Sequence, residues 1–170
     1  MPDSVCELIE GIVSELGVAR GNVVTVGSSM GAWAALYFGA RIGARHTIVA
    51  EPQVLLGSYL DMPELHPIAA HIAGGTSPDD IDYLDAILFD ALRAAESLPQ
   101  VHILCGRTSP YMERHVQPLV ALLDELGCSY QVTLGRNSKH SHVPVEFAWF
   151  LRTRLGEITS ARESEVGSHP

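Results

Sequence analysis

The junction at residues 22–38 constrains this chain most. A β-branched run, Asn22-Val23-Val24-Thr25-Val26, meets a helix-like stretch, Ala32-Trp33-Ala34-Ala35-Leu36-Tyr37-Phe38, through Gly27-Ser28-Ser29-Met30-Gly31. This is G-x-S-x-G in strand–turn–helix context, the nucleophile elbow. A nucleophilic serine must stand on a sharp turn, where a base and a substrate both reach it. Such a turn packs a strand end closely against a helix start, so its flanking residues must be small. Gly27 and Gly31 lack a Cβ, which permits strained dihedrals and close approach. The helix that follows points its first-turn N–H groups at the site, which makes the Met30 N–H a natural oxyanion donor. The pattern nominates the Ser29 hydroxyl as a nucleophile; the bland alternative is a small-residue turn in some other α/β fold.

The rest of the chain repeats the strand–helix alternation. Residues 3–16 read as a helix, with Val5, Leu8, Ile9, Ile12, Val13 and Leu16 at helical spacing and Gly17 as the stop. Strands are predicted at 22–26, 46–50, 101–105 and 130–134, with helices from the elbow to about Ile42 and at 80–97, 111–126 and 144–154. Ser77-Pro78-Asp79-Asp80 is a strong helix start, with a capping serine, a first-turn proline and acidic residues against the helix dipole. Short apolar strands alternating with helices predict an α/β fold: a parallel sheet of about four strands, helices on both faces. Ligands in such sheets bind at the carboxyl ends of the strands. Ser29, the Glu51 region and the 106–113 and 135–142 loops all fall there. Residues 52–76, rich in proline and closed by Gly74-Gly75, read either as a substrate-lining excursion or lid, or as an ordinary irregular connection. One domain is expected over 1–155, with a frayed polar tail over 156–170.

Composition removes several function classes. With 11 Lys+Arg against 20 Asp+Glu, the net charge is −9, which disfavours nucleic acid as a partner. No apolar run is long enough to span a bilayer and no basic amphipathic helix suits an anionic membrane. The N-terminus shows no signal peptide. Cys6, Cys105 and Cys128 lack metal-ligand spacing and read as buried free thiols, so a cytoplasmic location is expected. Neither a metal site nor a cofactor is indicated.

From residue 22 to about 153 the chain resembles the C-terminal half of an α/β-hydrolase. More narrowly, Gly27-Ser28-Ser29-Met30-Gly31-Ala32-Trp33-Ala34-Ala35-Leu36-Tyr37-Phe38-Gly39, followed by Glu51-Pro52-Gln53-Val54-Leu55-Leu56-Gly57-Ser58-Tyr59-Leu60, resembles a bacterial family of hydrolase-like proteins associated with capsular polysaccharide biosynthesis and accessory secretion. Ala32 stands where that family has a second glycine, and Ser58 where it has an aspartate. The resemblance implies a Ser/acid/His site acting on acyl groups, among them acetyl groups on sugars.

Within that resemblance the base is His140 or His142. Both follow the last strand, where the fold delivers its histidine, and the order Ser…acid…His is the expected one. His140 is preferred, because His-Ser leading into an amphipathic helix resembles the usual histidine loop. The acid departs from pattern. After the third strand an aspartate is expected three residues beyond Gly106, and Ser109 occupies that slot. Serine cannot stabilise an imidazolium as a carboxylate does. Glu113, at the start of the next helix, is the first alternative. Glu51, at the end of the second strand, is the second, and absence of an acid is the third. Ser28 and Ser109 are candidate substrate-binding residues. His66, His71, His102 and His115 carry no motif.

An α/β-hydrolase normally has several strands before the elbow, and a loop among them gives the second oxyanion N–H. Here one helix precedes the elbow strand. That strand is expected to be an open edge covered by a second copy, by a partner subunit or by further residues of the same protein. Three functions follow as expectations. The first is a serine hydrolase or acyl-transfer enzyme acting on an ester or thioester of a small molecule or carbohydrate. The second is a weak or inactive binding or assembly module. The third is a cyclase or lyase reusing the pocket.

Overall fold

The computed structural model describes residues 2–136 and 143–167. Strands β1 (Val24–Ser28), β2 (His46–Ala50), β3 (Gln100–Gly106) and β4 (Tyr130–Gly135) form one parallel sheet in the order β1-β2-β3-β4. The crossovers are made by α2 (Met30–Arg41), α5 (Pro78–Ala94) and α6 (Gln117–Glu125). Strand order never reverses, and crossovers of one hand then place successive helices on the same face. Ala35 and Leu36 of α2, Leu88 and Leu92 of α5, and Leu119 and Leu123 of α6 accordingly pack together on Val49, Val101 and Ile103. After β4 the chain crosses to the opposite face. There Val143 and Phe150 of α7 (Val143–Gly167) cover Ile48, Ala50 and Leu104. Strand β2 is buried along its whole length, as a central strand covered on both faces must be.

Boundaries differ from the sequence reading at several elements, β1 and α7 among them. Strand β1 starts two residues later than its apolar run and takes in Gly27 and Ser28, while Asn22 closes a 3₁₀ turn, Arg20–Asn22. Its register with β2, from Val24↔His46 to Ser28↔Ala50, fixes those ends. Helix α7 runs on to Gly167, past the boundary expected at 155. Ile158 packs against the sheet-covering cluster, and Arg154 pairs with Glu157 at 2.8 Å, so this stretch has contacts to hold it helical.

The 52–76 segment folds into α3 (Leu56–Leu60) and α4 (His66–Ala73), which dock on α5 through Leu56, Leu60, Ala69 and Leu84. A Cβ at Gly57 would overlap the Ile81 carbonyl, so glycine sets the closeness of α3 to α5. The capping box at Ser77 and Asp80 starts α5 as its sequence predicts.

Helix α1 (Pro2–Glu15) buries Cys6 and packs Ile9 against Ile42 and Ala44, while Leu8 and Ile12 are exposed. Strand β1 pairs with β2 on one side and is an edge, and Val26 on it is 42% exposed. The three cysteines are free thiols. Among the described residues no helix is long and apolar enough to cross a membrane.

Candidate active site

Ser29 sits between the last residue of β1 and the first of α2, with φ 57° and ψ −126°. A non-glycine residue in this region is strained and persists only where its surroundings enforce it. Two backbone bonds do so here. The Ser29 N–H donates to the Ala50 carbonyl at 2.9 Å, continuing the β1–β2 ladder, and the Ala32 N–H donates to the Ser29 carbonyl at 3.0 Å, opening α2. The Ser29 hydroxyl does not cap the helix, although serine at that position ordinarily would. The Met30 N–H lies in the first turn of α2, at the positive end of a twelve-residue helix.

The two glycines of the elbow have different roles. A Cβ on Gly27 would overlap the Gly31 carbonyl and lie 2.8 Å from the Ala32 nitrogen, whereas a Cβ on Gly31 would meet nothing within 4 Å. Gly27 faces α2 on the same side of the sheet as Thr25, and the helix doubles back directly over it. Gly39, one element on, plays the same part above Thr25 and Thr47, whose hydroxyls are 2.7 Å apart.

Strand β2 ends beside the elbow, and its next residue is Glu51, with φ 45°. Glu51 is 3% exposed. Its Oε1 accepts the Gly106 N–H at 2.7 Å, and its Oε2 accepts the Ser109 hydroxyl at 2.5 Å. A buried carboxylate is costly unless its oxygens are hydrogen-bonded, and both are. Ser109, itself buried, spends its hydroxyl on Glu51 and receives the Tyr111 N–H at 3.3 Å. The slot where sequence pattern expects an aspartate thus holds a serine bound to a carboxylate from the neighbouring strand. Burial, with the Glu51 carboxylate adding to it, pushes the Cys105 thiol up to about 12. Cys105 is therefore a packing residue beside the site and no nucleophile.

Glu113 lies exposed on a π-helical turn, Met112–Val116, that leads into α6. Ser28 pairs with Ala50 and is half-buried. His140 and His142 lie outside the described residues. Strand β4, the last described element before them, ends at the same C-terminal end of the parallel sheet as β1 and β2, on the opposite edge from β1. Among the described residues no group of three His, Cys, Asp or Glu side chains is placed to hold a metal ion.

The sequence matches no protein-family model, and no curated protein matches it. Solved structures do. The capsule O-acetyltransferase of Neisseria meningitidis serogroup A, in a mutant form in complex with CoA, superposes with TM-score 0.72 at 20% identity, over 87% of this chain and 62% of that one. The Glycosylation Associate Protein (Gap123) complex from Streptococcus agalactiae gives 0.72 at 17%, over 90% and 32%. A phosphonate-inhibited esterase B from Lactobacillus rhamnosis gives 0.63 at 15%, over 92% and 60%. The fold is α/β-hydrolase-like. The chain spans less than two thirds of each of these neighbours, and the capsule-related likeness read from residues 27–60 has its structural counterpart in the first of them.

This α/β-hydrolase-like core carries features the sequence did not disclose. Gln53, 1% exposed, donates through Nε2 to the Tyr111 hydroxyl at 3.0 Å. His115, which carries no motif, is buried, and its Nδ1 accepts the Leu55 N–H at 3.3 Å. Burial holds its pKa below the ordinary histidine value, so it is neutral, with its proton on Nε2. These bonds pin residues 53–55 to the π-helical turn that precedes α6 and leave a groove of about 610 Å³ lined by Leu55, Tyr59, Met62, Tyr111 and His115. Ser58, where the resembling family has aspartate, takes a carboxylate from α5 instead. Its N–H and hydroxyl both donate to Asp85, at 2.9 and 2.5 Å.

Proposed function

We propose that this protein is a serine acyl-transfer enzyme, working on an ester or thioester through Ser29, His140 and Glu51, with His142 as the alternate base. Ser29 Oγ attacks the acyl carbonyl while the histidine takes its proton. The Met30 N–H stabilises the developing oxyanion. The histidine returns the proton to the departing alcohol or thiol, leaving an acyl-serine. Water or an acceptor hydroxyl then attacks that acyl group and loses its proton to the same histidine, which passes it to Ser29 Oγ as the acyl–Oγ bond breaks, restoring the serine hydroxyl. Glu51, already the acceptor of two hydrogen bonds, carries the negative charge that steadies the imidazolium. Glu113 is the less favoured acid, because it is exposed. Ser109 serves by holding Glu51 in place rather than by touching substrate.

The observation that carries this reading is the enforced φ of Ser29 next to a buried, doubly hydrogen-bonded carboxylate on the adjacent strand end. The acetyltransferase and esterase among the fold neighbours agree with it in reaction class, and an acyl group on a carbohydrate is the substrate class we favour. A fluorophosphonate probe tests it. The native protein is expected to be labelled at Ser29, and Ser29→Ala to stay unlabelled. A folded native protein that resists the probe would instead support a binding or assembly module, a reading favoured by a lone oxyanion donor.

The second donor is proposed to come from outside the described residues, from a partner subunit or a second copy adding a strand along β1. The open side of β1 and the exposure of Val26 support this. Light scattering is expected to give a particle larger than one chain, and Val26→Lys to reduce it to monomer with loss of turnover. A wild-type monomer with full turnover would remove the proposal.

A further inference from the structure

The groove between α3 and the π-helical turn is far larger than an acetyl group needs. At about 610 Å³ it falls within the ~300–1,000 Å³ usual for small-molecule sites. Leu55, Tyr59 and Met62 form one wall, and Tyr111 and His115 the other. These residues follow the C-terminal ends of β2 and β3, so the groove lies at the end of the sheet that carries Ser29. Both walls lead back to the acyl site. The Tyr111 N–H donates to Ser109 Oγ, and the Ser109 hydroxyl donates to Glu51. Trp33, one helical turn beyond Ser29, packs on the clusters that hold Leu55 and Tyr59.

The walls are fixed by bonds that also use up their polar groups. Ser58 gives both its N–H and its hydroxyl to Asp85, and the Leu55 N–H goes to His115 Nδ1. The Tyr111 hydroxyl accepts Gln53 Nε2–H. His115, the one buried residue of the lining, is neutral and keeps a single N–H, and Arg114, the one charged residue, is exposed. A sugar ring carries a hydroxyl on most of its carbons. Those hydroxyls would be stripped of water here with few partners left to meet them, which is unfavourable. An alkyl chain brings no such groups. It would instead cover Leu55, Tyr59 and Met62, the last of them 37% exposed.

Resting on the acyl-transfer reading above, we propose that this groove holds the hydrocarbon chain of the acyl group that Ser29 receives, so that chains of several carbons are preferred over acetyl. The native protein is assayed with p-nitrophenyl acetate, butyrate and hexanoate, each corrected for spontaneous hydrolysis. kcat/KM should be at least about tenfold higher for hexanoate than for acetate, roughly what two buried methylenes contribute. Met62→Trp fills the groove and Met62→Lys charges its wall, and each should bring that ratio down towards one. Met62 is exposed, so both variants should fold. A second readout needs no turnover. Methyl hexanoate added to the Ser29→Ala protein should shift the Met62 methyl signal saturably in NMR, and methyl acetate should not.

Equal kcat/KM for the three esters, with turnover lost in Ser29→Ala, overturns the chain pocket and leaves the acyl chemistry standing. No turnover of any ester overturns both. A hexanoate preference that survives both Met62 variants, or a Met62 signal that methyl hexanoate does not move, puts the chain elsewhere and overturns the proposal.

Discussion

Glu51→Gln is expected to lower ester turnover by about 10⁴-fold, the scale on which removing the triad carboxylate's charge acts elsewhere. The substitution keeps the shape of the side chain and removes its charge. It also leaves the fold a way to adapt. The new amide oxygen can accept the Gly106 N–H that Glu51 Oε1 now accepts, while the amide nitrogen donates to Ser109 Oγ. The Ser109 O–H and the second amide N–H then lose or lack an acceptor in a buried site, which costs about 1–3 kcal/mol. The loss in kcat should therefore far exceed what this modest fall in the thermal midpoint accounts for. Glu113→Gln is the matched control. Glu113 is exposed on the π-helical turn, and its substitution should leave turnover within about twofold, because surface changes of this kind are worth only tenths of a kcal/mol. If Glu113→Gln removes activity and Glu51→Gln does not, the acid has been placed on the wrong residue.

Gly27→Ala should destabilise the protein by about 3 kcal/mol, the upper end of ordinary overpacking. For a chain of this size that corresponds to a fall in Tm of roughly 6–12 °C. The obstacle is main chain: the added methyl would collide with the Gly31 carbonyl and the Ala32 nitrogen. Relief requires α2 to lift from β1, and α2 carries Ala35, Leu36 and Ala40 of the central core. Gly31→Ala is the contrast. Its Cβ enters open space, and alanine is the better helix former, so stability should hold or rise by a few tenths of a kcal/mol. Thermal and urea denaturation of the two variants decide the point. Equal effects at the two glycines would mean that α2 does not pack as described.

Those two glycines show where sequence stops and structure starts. In the motif they are interchangeable, both small and both flanking Ser29. Only the path of α2 back across β1 separates them, and that path is set by packing against β2 and α5. The strands and helices themselves were legible because their signals are local. A period of two or of 3.6, a capping serine before Pro78, and the small residues of the elbow each act within a few positions. The end of β1 was read two residues early because register with β2, a pairing across 22 residues, fixes it. The end of α7 was read too early because its polar composition hides the contacts of Arg154 and Ile158.

The sequence by itself determined the α/β alternation, the elbow and Ser29 as its nucleophile candidate. It also determined that an acid was missing from the slot at Ser109. Tertiary structure decided which carboxylate lies against that slot, because Glu51 meets Gly106 and Ser109 across 55 and 58 residues of chain. It likewise set His115 against Leu55. No local pattern encodes such pairs. They arise when parallel strands, each returned by a crossover helix, align in one register and bring distant strand ends side by side.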